Sequence, residues 1–273
     1  MTAVLSILII LTGIVWYILN VDKARSQRRT EIMSRPFPDK WKTIIEKSGP
    51  LTKKLPESLK KDLYRKVQVF IEEISFEGCK GFEITETVKV SVAAQACILL
   101  LNRPNSFYNK LKTILIYPDT YVAKNASIAG MHTEPNEIPV AGQSYDSGTV
   151  ILAWRHVTRG AGNRKDGNNV VFHEFAHQLD QEDGSTDGMP VMRERSQLTP
   201  WITNVGKEYT AFAKRITKGR KDVMDSYGST NTAEFFAVAT ETFFEKPYQL
   251  YRKHPLLFKK MQDYFKVDPR KWV

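Results

Sequence analysis

The chain has 273 residues, of which 42% are hydrophobic, and this is enough for one large domain or two closely packed lobes. Its formal net charge of +10 raises nucleic acid or an anionic membrane as a partner, but no DNA-binding motif is recognisable, and we expect no direct nucleic-acid binding. The only cysteines, Cys79 and Cys97, exclude a disulfide framework and a cysteine-based metal site.

An apolar run, residues 3–19, opens the chain, and a basic cluster follows it at once: Lys23, Arg25, Arg28 and Arg29. Because the run approaches the ~20 residues that span a bilayer, and Trp16 and Tyr17 lie near its end, it predicts a transmembrane helix over residues 1–21. The basic cluster then predicts a single-pass membrane protein whose domain faces the cytoplasm. A cleaved signal peptide is the alternative, but no Lys or Arg precedes the apolar run.

The remaining chain predicts a mainly helical α+β fold with a small sheet. We divide it into a basic linker with short helices, residues 22–54, and one domain, residues 55–273. Apolar residues at three- and four-residue steps predict helices over residues 58–74, 87–101, 198–216, 233–245 and from residue 255 onward. Residues 111–117 and 149–154 predict the strands, and residues 119–147 predict a long loop.

The segment Val170–Asp180 contains His173, Glu174 and His177 in the order His-Glu-x-x-His. Two histidines four residues apart on a helix share one face, so both imidazoles can reach one metal ion, and the glutamate can serve as a general base. Val171, Phe175 and Leu179 would face the core, and Asp180 could accept a hydrogen bond from an imidazole. A pair of surface histidines that bind no metal is the alternative interpretation.

A catalytic zinc normally has three protein ligands, so the motif needs a partner from elsewhere. The predicted helix 233–245 is nearly all apolar, yet it carries Glu234 and Glu241 seven residues apart on one face. Carboxylates in such surroundings are costly unless they are paired or bind metal, so both are candidates for the third ligand. Glu241 could instead hydrogen-bond to one of the metal ligands without binding the metal itself. Of the other histidines, we predict that His254 lies on the surface.

Several ordered motifs resemble the Mlc titration factor A family of zinc-dependent peptidases: Val-Phe-His-Glu-Phe-Ala-His-Gln-Leu-Asp at residues 171–180, Asp-Gly-Met-Pro at residues 187–190, and Ala-Glu-Phe-Phe-Ala-Val within residues 225–244. The resemblance covers about residues 55–270 and implies a zincin-like fold with a gluzincin-like site. It implies zinc bound by His173, His177 and Glu234, with Glu174 as the base and Tyr227 as a donor to the oxyanion. It also implies that His132 can approach the zinc and hold the site latent.

These observations predict a membrane-anchored zinc metallopeptidase that acts on peptide or protein substrates, with the aminopeptidase-like activity that the resemblance implies. The strand at residues 149–154 would present its edge to an extended substrate. The resemblance also implies a transcriptional repressor as a partner. The alternative function is a zinc-stabilised regulatory module that sequesters a repressor or another protein without catalysis.

Overall fold

The computed structural model describes residues 2–123, 138–163, 165–192 and 194–272, and it is mostly helical with a small mixed sheet. The helices of the described residues, in chain order, are α1 Thr2–Ser34, α2 Asp39–Ser48, α3 Pro50–Lys53, α4 Glu57–Glu73, α5 Glu86–Ile98, α6 Trp154–Gly162, α7 Val170–Asp180, α8 Arg195–Thr217, α9 Thr232–Glu245, α10 Pro247–Lys253 and α11 Pro255–Phe265. The predicted helices at residues 58–74, 87–101, 198–216 and 233–245 therefore correspond to α4, α5, α8 and α9, with ends shifted by up to three residues.

The described strands form two sheets, one of four strands and one of two. The strands are β1 Ser75–Gly78, β2 Thr113–Tyr117, β3 Tyr121–Ala123, β4 Ile138–Val140, β5 Gly142–Tyr145 and β6 Thr149–Ala153. The larger sheet has the order β1-β2-β6-β5, in which only β5 is antiparallel to its neighbour. Side chains of β2 and β6 alternate in burial, with Ile114, Ile116, Val150 and Leu152 inside.

The predicted strands at residues 111–117 and 149–154 correspond to β2 and β6, but two other expectations about this region are wrong. Residues 119–147 are not one long loop, because β3, β4 and β5 all lie within this range. The strand at residues 149–154 does not offer a free edge, because β6 pairs with β2 on one side and with β5 on the other. The edge beside α7 belongs to β5, whose Gly-Gln-Ser-Tyr sequence contains no β-branched residue and only one strand-favouring side chain, Tyr145.

The predicted transmembrane helix is also wrong, and with it the prediction of a single-pass membrane protein. No helix in the described part of the chain is long and apolar enough to cross a membrane. The apolar run is shorter than the ~20 residues that a span needs, and α1 continues through the basic cluster to Ser34. Its last turns pack on α4, where Arg29 donates two hydrogen bonds of 2.7 Å to Glu73 and Ile32 is buried. The division at residues 22–54 and 55–273 stays a prediction.

The motif helix α7 lies at the centre of the molecule. It packs against α9, α5, α6 and the edge strand β5. Val171, Phe175 and Leu179 are fully buried, as their spacing predicts, and they leave His173 and His177 facing the gap between α7 and α9. The histidine face of α7 is therefore held against the acidic face of α9 by the core on both sides.

Candidate metal centre

The start of α7 is fixed by one asparagine. The side-chain oxygen of Asn169 accepts hydrogen bonds of 3.1 Å from the backbone N–H groups of Val171 and Phe172, so Asn169 caps the helix. On the facing helix, the side chain of Asn231 caps α9 through the N–H of Glu234. The two caps place His173 in the first turn of α7 and Glu234 in the first turn of α9.

Three side chains converge between these helices. The Nε2 atoms of His173 and His177 are 3.3 Å apart, and the Oε2 atom of Glu234 lies 2.9 Å from the first and 3.5 Å from the second. Within the residues that the structure describes, this is the one group of His, Cys, Asp or Glu side chains whose ligand atoms lie within 4.8 Å of one another. The structure thus brings Glu234, rather than Glu241, to the shared Nε2 side of both histidines.

Glu241 contacts His173 from the opposite side. Its Oε1 atom lies 2.8 Å from Nδ1 of His173, and its Oε2 atom accepts a hydrogen bond from the backbone N–H of Asn169. A carboxylate in this position accepts a hydrogen bond from Nδ1–H, so that in the neutral, metal-binding form of His173 the lone pair of Nε2 is directed toward the space between Glu234 and His177. The role of a supporting group, which the sequence left open for Glu241, agrees with this geometry.

The cluster combines two histidines with three acids, Glu174, Glu234 and Glu241. Burial lowers the pKa of His173, but hydrogen bonds to Glu234 and Glu241 raise it well above its usual value. Burial alone would raise the pKa of Glu234, yet the two histidines bring it to about 2, so this group is a carboxylate at neutral pH. Burial raises the pKa values of Glu174 and Glu241, and a divalent cation bound nearby would favour their charged forms.

Glu174 is buried at the wall of a cleft of about 390 Å³ that also contacts His173, Glu241 and Tyr227. Burial raises its pKa, while the two neighbouring histidines act in the opposite direction. The side chain fits there because residue 142 is glycine: a Cβ atom at this position would lie 2.6 Å from Oε1 of Glu174. Gly142 was missed by the sequence analysis, because a glycine within an assumed loop carries no signal of a contact with a distant helix.

Tyr227 lines the same cleft from the 3₁₀ turn Ser226–Ser229. Its ring centroid is 5.9 Å from that of His173, and about half of the side chain is exposed. Partial burial and then the charges of Glu234 and Glu174 raise the pKa of the phenol. Tyr227 therefore keeps its proton at neutral pH and can donate a hydrogen bond into the cleft.

Three other expectations from the sequence have different outcomes. His132 lies outside the described residues. His254 is not on the surface but is 2% exposed. Asp180 is fully buried, yet its Oδ2 atom accepts a hydrogen bond from the backbone N–H of Gly188 rather than from an imidazole.

The residues present fit a zinc ion on two grounds. Two nitrogen atoms and one carboxylate oxygen are a usual set of protein ligands for a catalytic zinc, with one position left for water. The Nε2 atoms of both histidines and a carboxylate oxygen of Glu234 also meet at one point, where a cation could replace the proton that Nε2 of His173 shares with Glu234. The metal would therefore lie next to Glu174 and open to the cleft.

Comparison with known proteins agrees with a metal centre of the metallopeptidase class. The family model described as "Glucose-regulated metallo-peptidase M90" matches residues 23–266, and the chain therefore belongs to this family of metallopeptidases. An uncharacterized protein of Synechocystis sp. is 37% identical over 265 residues, which is 96% of each chain.

The chain is also similar to proteins named Mlc titration factor A, as the motifs at residues 171–190 and 225–244 predict. The protein of Cronobacter sakazakii is 25% identical over 245 residues, or 86% of this chain and 87% of its own. The protein of Serratia proteamaculans is 25% identical over 226 residues, or 81% of this chain and 84% of its own.

Proposed function

We propose that this protein is a zinc-dependent peptidase that hydrolyses peptide bonds in the cleft between α7, α9 and β5. The observation that carries the proposal is the convergence of His173, His177 and Glu234 beside the buried acid Glu174. His173, His177 and Glu234 would hold the ion. When bound, zinc would polarise the scissile carbonyl and acidify a water molecule.

The protein's own residues then supply the proton transfers. Glu174 accepts the proton of the attacking water and delivers it to the leaving amine, and its raised pKa suits both steps. The phenol of Tyr227 donates a hydrogen bond to the oxyanion that develops on the carbonyl. Glu241 holds His173 in the tautomer that binds metal.

The edge strand β5 favours an extended peptide as the substrate. Gly142 lines the cleft next to Glu174, and among the residues that the structure describes β5 pairs with β6 on one side only. A peptide that added to the other side would lay its backbone across the mouth of the site. Asp225, also at the cleft, supplies a carboxylate that an N-terminal ammonium would bind, which supports aminopeptidase-like cleavage of small peptides.

The test is the variant Glu174→Gln in the whole chain. We expect it to lose at least a hundredfold in peptide hydrolysis because the base is absent, while it binds one zinc per chain as the native protein does. Comparison of free and N-acetylated peptides tests the aminopeptidase preference, since acetylation removes the ammonium. Unchanged turnover in Glu174→Gln would refute the role of this residue.

A second candidate function is the binding of a repressor without catalysis. The name of the relatives, Mlc titration factor A, favours it, because it describes a protein that titrates Mlc. In this case the zinc would stabilise a binding surface. A protein that holds zinc, cleaves no member of a peptide library and binds such a repressor would support this function over the peptidase.

A further inference from the structure

A second cleft, larger than the one at the metal centre, lies between α2, α5 and α6. Its volume is about 570 Å³, and each helix contributes residues at helical spacing. Thr87, Ser91 and Gln95 are four residues apart on α5, and Trp154 and Thr158 are four apart on α6. Clefts of this volume bind small molecules in other proteins.

The charged side chains that line this second cleft are all positive. Lys40 and Lys47 stand at its rim, and no Asp or Glu is among its described lining residues. Lys40 forms an ion pair with Glu86, whereas Lys47 makes no ion pair within the described part of the chain. A ligand with one negative charge would satisfy Lys47 without displacing an existing partner.

The interior of the second cleft is mostly apolar. The half-buried ring of Trp154 forms part of the wall and is supported by Phe82, with 6.0 Å between the ring centroids. Ile44 and Val157 are buried beside it. The hydroxyls of Ser48 and Ser91, 2.6 Å apart, add one polar spot, in which Ser48 also donates to the backbone carbonyl of Ile44.

We propose that this cleft is a binding site for a small organic anion that has a flat apolar body and one acidic group. The apolar body would pack on Trp154, and the acidic group would lie at Lys47. Such a ligand matches both the apolar wall and the unpaired positive charge, whereas a neutral ligand would match only the first.

The second cleft is connected to the metal centre by hydrogen bonds. Gln95 lines the cleft, and its Oε1 atom accepts a bond of 3.2 Å from the side chain of Asn169. The backbone N–H of Asn169 donates to Glu241, which in turn contacts Nδ1 of His173. A ligand that moves Gln95 therefore acts on the group that orients a proposed zinc ligand, and each ligand should change the affinity of the other by the same factor.

The probe is 8-anilinonaphthalene-1-sulfonate, a flat aromatic anion, titrated by fluorescence against the whole chain. We expect one saturable site. Lys47→Gln should weaken it about fivefold, since one exposed charge pair contributes up to about 1 kcal/mol. Thr158→Trp should abolish it by filling the cleft from an exposed position. Lys42→Gln on α2 and Arg159→Trp on α6, which do not line the cleft, should bind as the native protein does.

The proposal is overturned if all five proteins bind the probe alike, because the dye would then occupy another apolar surface. The connection is tested by a zinc titration against a chelator, with and without saturating probe. We expect at least a threefold change of the zinc dissociation constant in the native protein and a smaller one in Gln95→Leu. No change in the native protein would overturn the connection. Neither measurement depends on peptide hydrolysis, so the binding result stands apart from the proposed activity.

Discussion

Glu241 is bound by two donors at once, the imidazole N–H of His173 and the backbone N–H of Asn169. A carboxylate can accept from both, but an amide presents an N–H group to one of them. Glu241→Gln should therefore weaken zinc binding 10- to 100-fold, the usual effect of losing a carboxylate behind a histidine ligand. Competition with a chelator measures it. The neighbouring acid Glu245, which contacts Asn169 but not His173, provides the control Glu245→Gln.

A similar zinc affinity in Glu241→Gln and in the native protein would show that Glu241 does not orient His173. The expected loss, in contrast, would separate the role of Glu241 from those of Glu234 and Glu245, the other two acids of α9. Helical spacing placed Glu234 and Glu241 on one face but does not show which acid reaches Nε2 and which reaches Nδ1. Only the family resemblance implied Glu234 as the ligand.

At Gly142, a single added atom would change the position of Glu174. A methyl group there would lie 2.6 Å from both Oε1 of Glu174 and a side-chain carbon of Val170. We expect Gly142→Ala to lower kcat for peptide hydrolysis at least tenfold by displacing the base, with zinc content unchanged. Gly206→Ala in α8 is the matched control, since no atom lies within 4 Å of its added carbon.

The control should keep its activity and gain up to about 1 kcal/mol of stability, because alanine favours a helix more than glycine does. Full activity in Gly142→Ala would mean that Glu174 does not need its present position. Close approaches of this kind escape sequence analysis, since they join residues from an edge strand and a helix that are far apart in the chain.

Among the secondary-structure elements, His254 links three parts of the fold. Its ring nitrogens lie 3.0 Å from Glu208 of α8 and 2.8 Å from Asp222, which follows α8, while His254 itself joins α10 to α11. Asp222 also pairs with Arg215 and Lys253. The sequence predicted a surface histidine because its neighbours are basic, but those charges surround a buried acid that only the tertiary fold brings near.

Replacing His254 by Gln should lower the free energy of unfolding by about 3 kcal/mol, since it breaks a buried pair. Burial lowers the pKa of His254, but hydrogen bonds to Asp222 and Glu208 outweigh this and raise it. The contribution of His254 to the free energy of unfolding is thus complete below pH ~6.5, and it is lost as the pH rises through the raised pKa of this residue. Asp222, whose pKa is lowered by His254 against the effect of burial, contributes above pH ~3.9.

The difference in the free energy of unfolding between the native protein and His254→Gln should therefore be largest between about pH 4 and 6.5 and shrink at higher pH. Denaturant unfolding at several pH values measures it. Lys253→Gln, an exposed partner of the same acid, should cost less than about 1 kcal/mol. A difference that grows above pH 7 would contradict the raised pKa of His254.

The elements that the sequence predicted well are those with strong local periodicity. Helices α4, α5, α8 and α9 repeat apolar residues at helical steps, and their positions follow from this pattern alone. Strand β5 lacks such a pattern and depends on pairing with β6 and packing on α7. The edge of the sheet at the site was therefore assigned to the wrong strand.

For the molecule as a whole, the largest error of the sequence prediction was the membrane span assigned to the N-terminal segment. Its apolar composition suggested a membrane span, but the hydrophobic run is short and its helix continues into residues that bond to α4. Composition cannot show this, because Arg29 and Glu73 are 44 residues apart and meet only in the folded chain.

Metal binding should stabilise the whole molecule, because its proposed ligands come from two helices that unfolding separates. At a free zinc concentration of 100 times the dissociation constant, the gain is about 2.7 kcal/mol. Thermal unfolding after removal of metal, with and without added zinc, measures this shift. Glu234→Gln should show a smaller shift, and an equal shift in both proteins would mean that zinc binds elsewhere.

The most direct test is anomalous X-ray diffraction at the zinc edge from crystals grown with zinc. We expect one strong peak about 2.0–2.2 Å from Nε2 of His173, Nε2 of His177 and a carboxylate oxygen of Glu234. A peak held by other residues, or none near this pair of histidines, would contradict the metal centre and with it the proposed peptidase.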